Sequence, residues 1–278
     1  MLTKVLLGLA LGLVISANAG ANITRTRVET FTVEPGARID VKISGGSINV
    51  KLGTTSQVRV ELIEVAKTNS ETEADELIAK TKPIIEKTAQ GVRVALQPEY
   101  LKFNWFGSPG DRGVQYSVNL IVPARVDLKL DTSGGSINVG GETQGDILAD
   151  TSGGCISVTG ATGKLNLDTS GGNITVDRVT RELHADTSGG SIHIGYVSAS
   201  AVDVNTDTSG GGIDIGLDSA GNYDLNADTS GGSVSVTNLT FDATNKSRTH
   251  AQGKVNKGGI RVRADTSGGN INIHAASL

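Results

Sequence analysis

The pentapeptide DTSGG occurs seven times, starting at Asp131, Asp150, Asp168, Asp186, Asp207, Asp228 and Asp265. Successive starts lie 19, 18, 18, 21, 21 and 37 residues apart. A recurring period near 20 marks a solenoid in which each repeat forms one coil. An alternating apolar pair follows each corner, as in Ile137/Val139, Ile174/Val176 and Ile271/Ile273. Another precedes it, as in Leu165/Leu167 and Val262/Ala264. Alternation places every second side chain on one face of a strand. One coil therefore reads as strand, DTSGG corner, strand and a looser second corner.

A single coil cannot bury its apolar side chains. Stacked at the ~4.8 Å strand spacing, coils bury them against the same positions above and below. The expected fold is all-β: a parallel β-helix, or β-solenoid, of about seven to eight coils with a small N-terminal α+β cap. The corner glycines are expected at positive φ. Asp and Ser are expected to accept bonds from amides just ahead of them, which makes the seven Asp residues a structural turn ladder.

Residues 39–50, IDVKISGGSINV, repeat the pattern without Asp-Thr and read as an early strand pair that joins or caps the solenoid. Between it and the first full repeat the chain does not repeat. Residues 57–65 alternate as a strand. Ser70-Glu71-Thr72-Glu73 is a capping box that opens a short helix with Ala74, Leu77 and Ile78 on one face, closed by Pro83. A hairpin is expected to turn at Gln90-Gly91, and another strand runs through residues 115–122. The helix is the expected cover for the N-terminal end. Residues 241–257 interrupt the repeat as a polar insertion, read as an excursion over the C-terminal end.

The first residues read as an export signal. Residues 1–4 carry one positive charge, residues 5–15 are apolar, and Ala17-Asn18-Ala19 has the small-x-small form of a cleavage site. The organisation is then a signal over 1–19, a cap over 20–125 and the DTSGG solenoid over 126–278. No second long apolar run follows, so no membrane span is expected after cleavage. Loss of Lys4 takes the formal charge from −4 to about −5. No basic cluster tracks a phosphate backbone, which argues against nucleic acid and against polybasic membrane docking. Cys155 is the sole cysteine, so no internal disulfide forms. It sits where other repeats have Ser136, Ser191 and Ser233, and reads as a small-residue replacement rather than a reactive thiol.

Three sharper chemistries can be set against this pattern. A carbohydrate lyase or hydrolase needs clustered acids and bases, whereas His184, His193, His250 and His274 are scattered along the chain. No catalytic residue is assigned. Calcium could bridge the Asp column, but its spacing lacks the paired carboxylates of a calcium loop, so no metal or cofactor is expected. An ice- or crystal-matching face needs a regular outward array, and Asn138, Ser157, Thr175, His193, Asp214, Ser235 and Asn272 are irregular. The rare aromatics gather in residues 100–113. Tyr100, Phe103, Trp105 and Phe106 there form a candidate contact loop, with cap core as the competing role.

The chain resembles the bacterial adhesin-type proteins with β-strand repeats catalogued as domain-of-unknown-function family 4097. The likeness rests on VEPGARIDVKISGGSINV at 33–50, the helix and hairpin at 70–97, YSVNLIVPARVDLKLDTSGGSINV at 116–139 and KGGIRVRADTSGGNINI at 257–273. The resemblance implies a parallel β-helix and supplies no catalytic residue. The expected protein is an exported, non-enzymatic binding or scaffold protein of the cell envelope, periplasmic or at the cell surface. It would engage an unknown protein or glycan, as a monomer or through end-to-end association. The alternatives are an accessory of envelope stress or signalling, and a β-helix carbohydrate-active enzyme.

Overall fold

The computed structural model describes residues 12–16, 22–96 and 113–277. The cleavage signature Ala17-Asn18-Ala19 and the contact loop with Tyr100, Phe103, Trp105 and Phe106 lie outside the described residues.

The chain opens with β1 (Gly12–Ser16), β2 (Ile23–Thr32), β3 (Ala37–Ile43), β4 (Ile48–Leu52) and β5 (Gln57–Ala66). Helix α1 (Glu71–Thr81), the hairpin β6 (Ile84–Lys87) and β7 (Gly91–Ala95), and β8 (Val114–Val122) follow. The repeats then supply strand pairs: β9 (Val126–Thr132) with β10 (Ile137–Thr143), β11 (Ile147–Thr151) with β12 (Ile156–Ala161), and β13 (Lys164–Thr169) with β14 (Ile174–Val179). Next come β15 (Glu182–Thr187) with β16 (Ile192–Val197), β17 (Asp203–Thr208) with β18 (Ile213–Asp218), and β19 (Tyr223–Thr229) with β20 (Val234–Thr237). A hairpin of β21 (Phe241–Lys246) and β22 (His250–Val255) precedes the last pair, β23 (Ile260–Thr266) and β24 (Ile271–Ala276).

Two long sheets face each other, and every SGG corner passes the chain from one to the other. The first runs β1-β2-β5-β8-β4-β10-β12-β14-β16-β18-β24-β20. The second runs β21-β22-β19-β23-β17-β15-β13-β11-β9-β3-β7-β6. Pairing between repeats is parallel, with equivalent residues in register: Ile137 on Ile156, Ile174 on Ile192, Asp150 on Asp168. The core is this stacking. Ile48, Ile137, Ile156, Ile174, Ile192, Ile213 and Ile271 are all buried in one column, because the period-2 pattern of each strand points them inward at the same height. No helix among the described residues is long and apolar enough to cross a membrane.

The helix starts where its cap predicts. Ser70 is extended, at φ −98° and ψ 119°, and its side chain accepts from the Glu73 amide. The reciprocal half differs: Glu73 accepts from the Thr68 hydroxyl at 2.6 Å, and the Ser70 amide donates to that same hydroxyl. Ala74 and Ile78 pack with Ala66 of β5 as a small separate cluster. Arg25 on β2 clamps the helix from outside by bonding both Glu71 and Asp75.

Of the two roles open to the early SGG pair, joining the solenoid or capping it, β3 and β4 take the first: they lie inside the stack, between β7/β8 and β9/β10. Two features depart from the sequence reading. The last repeat is not last in space. β23 and β24 enter between β17/β18 and β19/β20, and the β21–β22 hairpin lies beyond β19. Finally, the DTSGG glycines do not sit at positive φ. The second glycine is required by close approach. A Cβ on Gly154, Gly172 or Gly190 would fall 1.9–2.0 Å from the carbonyl oxygen of the matching glycine one coil back. The first glycine has room, with nothing nearer than 3.6 Å at Gly171 or Gly189.

Candidate functional site

Each sheet turns one set of alternating residues outward, and the stacking turns each set into columns. On the second sheet the corner-proximal column is Lys42, Asp131, Asp150, Asp168, Asp186, Asp207, Asp265 and Asp228, in that spatial order. All seven sequence-predicted Asp residues therefore come together. Cations stand near both ends: Lys42 on the first aspartate, Asp131, at 2.5 Å, and Arg263 on the next-to-last, Asp265, at 2.5 Å. His250 Nδ1 lies 2.5 Å from Asp228. Asp150, Asp168, Asp186 and Asp207 have no hydrogen-bond or ion-pair partner among the described residues. Partial burial, then the flanking Asp131 and Asp168, raise the Asp150 pKa above the ordinary aspartate range.

The turn ladder needs a correction. It is the threonine, not the aspartate, that closes the corners. Thr132, Thr151, Thr169, Thr187, Thr208, Thr266 and Thr229 point inward, and each donates its hydroxyl to a glycine carbonyl of the adjacent coil at 2.7–2.8 Å. In the later coils the same hydroxyl accepts from the second-glycine amide of its own corner, as Thr169 does from Gly172 at 3.3 Å. The reason is alternation. Asp and Thr are neighbours on a strand, so one must face solvent and the other the core. A buried backbone carbonyl needs a donor, which threonine has and an ionised aspartate lacks.

On the first sheet the outward column is Glu61, Asn119, Asn49, Asn138, Ser157, Thr175, His193, Asp214, Asn272 and Ser235. Its N-terminal end is a continuous amide ladder. Asn138 donates to Asn49 at 2.9 Å, Asn49 to Asn119 at 3.1 Å, and Asn119 to Glu61 at 3.1 Å. The next column is Arg59, Ile121, Lys51 and Gly140. Gly140 contributes no side chain, and Ile121 is 39% exposed. Between the two columns runs a groove of about 480 Å³. Each interior amide spends one N–H and one lone pair on its neighbours and keeps one of each for solvent. The groove thus offers alternating donors and acceptors, flanked by Lys51 and by Arg59, the latter 3.9 Å from the Glu61 carboxylate that also lines it. Sequence reading recognised Asn138 but missed Asn49, Asn119 and Glu61. The SINV at 47–50 and SVNL at 117–120 carried the signal, since both place Asn where the repeats place their outward residue.

The histidines are partly gathered. His193 Nδ1 lies 2.9 Å from Asp214, and His274 Nε2 lies 3.7 Å from the same carboxylate. Among the described residues, no three His, Cys, Asp or Glu side chains are grouped to hold a metal ion. Cys155 is exposed, and its amide donates to Ser136 of the coil before. In the N-terminal region Glu64 is fully buried. One oxygen accepts from Arg27 at 3.0 Å and the other has no partner, so burial raises its pKa against the pull of Arg27.

These features define a repeat protein whose stacked coils display ordered polar columns. The chain belongs to the Toastrack DUF4097 family, whose model matches residues 121–274. The match starts after the N-terminal stretches on which the resemblance also drew. Among solved structures, the chain is similar to a "putative adhesin" of Bacteroides fragilis at 12% identity and TM-score 0.44, covering 89% of this chain and 96% of that one. It is also similar to a "putative cell adhesion protein" of Clostridium sporogenes at 14% identity and TM-score 0.33, covering 90% and 99%. A third, a "putative lipid binding protein" of Parabacteroides distasonis, has 10% identity and TM-score 0.27, covering 89% and 96%. No curated protein matches the chain.

Proposed function

We propose that this protein is an exported, non-enzymatic, adhesin-like binding protein of the cell envelope, built as a capped solenoid. Residues 1–19, which include the edge strand β1, are its leader, removed on export to leave β2 at the end of the first sheet. At the N-terminal end the stack finishes in β2 and β5 on one sheet and the β6–β7 hairpin on the other, with α1 packed across the ends of β2, β5 and β8; the β21–β22 hairpin closes the far end of the second sheet.

The observation that carries the binding role is the amide-ladder groove. Its donors and acceptors repeat at the rung spacing, which suits a chain of hydroxyl groups better than a single small molecule. Lys51 beside it, with Arg59 next to it and paired to Glu61, favours acid groups on that chain. The ligand class this supports is an acidic polysaccharide. Binding to immobilised polygalacturonate, followed by biolayer interferometry, tests it. Wild type binds, while Asn49→Ala and Arg59→Ala weaken binding several-fold without lowering the melting temperature. Equal binding by all three removes the groove from the account. Protease shaving of intact cells tests the location: cleavage without lysis places the chain on the surface, and protection until the envelope is opened places it inside.

A further inference from the structure

The C-terminal coil is the rung that does not lie where chain order puts it. β23 and β24 fill a slot between two coils that precede them in sequence. Both walls of that slot are built alike. Val204, Thr206 and Thr208 face Val262, Ala264 and Thr266 on one side. Leu225, Ala227 and Thr229 face the same three residues on the other. The corner bonds run in series through the insert: Thr266 donates to Gly211 O, and Thr229 donates to Gly269 O, both at 2.7 Å. Arg261 of the insert also pairs with Asp203 at 2.5 Å.

All of these contacts belong to residues 260–276 and to the slot. None depends on the covalent link between them, which is residues 256–259. That link is tightly bent: Asn256 is at φ 54°, Gly258 at 73° and Gly259 at 151°. Every copy of the chain presents the same slot. A coil that leaves its own slot meets identical contacts in another copy, so exchange alters only the hinge and the entropy of association. Short constrained hinges favour such exchange. We propose that residues 260–276 form an exchangeable coil whose partner is a second copy of this chain, giving a coil-swapped dimer. An open slot bares strand edges and the buried Val204 and Ile213, so exchange is slow in the native state and fast while chains fold at high concentration.

The test uses cysteine pairs in the full chain with Cys155→Ser. Asn205 and Arg263 are direct partners across the slot wall and both face outward. Parallel neighbours at ~4.8 Å lie within disulfide reach. Chains carrying Asn205→Cys and chains carrying Arg263→Cys are refolded together at rising concentration, diluted, and then oxidised. The expected product is a covalent dimer with the 205–263 linkage, found by peptide mass mapping, in a yield that grows with the concentration during refolding. A single chain carrying both substitutions serves as control and closes the bond internally when refolded dilute. Closure in the control with no 205–263 linkage in the mixture at any concentration would overturn the proposal.

Discussion

Replacing Thr169 by valine separates the two neighbours that the DTSGG motif places side by side. Thr169 is buried, donates to Gly154 O at 2.8 Å and accepts from Gly172 N–H at 3.3 Å. Valine keeps the volume and removes both bonds. Gly154 and Gly172 are themselves buried, so each loses its partner without gaining water. An orphaned buried backbone group costs about 1–3 kcal/mol. Counting the longer bond at the low end gives a loss of ~2–4 kcal/mol. Asp168, one residue earlier, is exposed and unpartnered, flanked in register by Asp150 and Asp186. Like charges at ~4.8 Å repel by about 1 kcal/mol per pair in water, less when screened by salt. Asp168→Asn therefore leaves stability unchanged or raises it by up to ~2 kcal/mol. Urea unfolding followed by circular dichroism measures both variants. The reasoning is refuted if Thr169→Val falls within about 0.5 kcal/mol of wild type, the range usual for surface changes, while Asp168→Asn costs more.

Three more outcomes follow from the same geometry. Gly172→Ala should abolish folding or force a large rearrangement, because its Cβ would lie 1.9 Å from Gly154 O, whereas Gly171→Ala should be tolerated; soluble yield and melting temperature read the contrast. The pKa of Asp150 is raised in the fold, so its contribution to stability is fully present below the unfolded aspartate value and lost as pH rises through the folded one. Wild type should therefore gain stability relative to Asp150→Asn as pH drops from 7 into the carboxylate range, and a constant difference between them across that window would contradict the ladder. Glu64→Gln should raise the unfolding free energy at pH 7, since burial opposes the charge more than Arg27 supports it; a variant less stable than wild type at pH 7 would show that the Arg27 pair dominates.

Much of the architecture was legible because it is periodic. The repeat spacing and the alternation of Ile and Val dictate stacked strands, and they also place the seven Asp residues in one column. What escaped the sequence has specific physical causes. The order of the last coil is not encoded in its motif, because every DTSGG corner fits against every other. The role of Thr169 and its equivalents was hidden because Asp, Ser and Thr all cap turns, and only the facing of the strand decides which one reaches the core. Glycine at the second corner position was read as a φ requirement, whereas the constraint is the carbonyl of the coil below, which only the stack reveals. The amide ladder was half visible: Asn138 sits in a recognised repeat, but Asn119 lies in a strand with no SGG corner to announce its register.

The account rests on coils being interchangeable, and deletion of one full period tests that most directly. Removing residues 168–185 joins Leu167 to Asp186, and those positions already share a register, since Leu167 pairs with Ala185 and Asp168 with Asp186. The shortened chain should keep its strand signal and unfold cooperatively in urea, with a smaller m value for its smaller buried surface. Removing residues 168–176 instead leaves out the end of β13, the corner and the first half of β14, shifting every later coil to the wrong sheet, and should yield no folded protein. Loss of folding in both deletions, or its survival in both, would contradict the stacked-coil account.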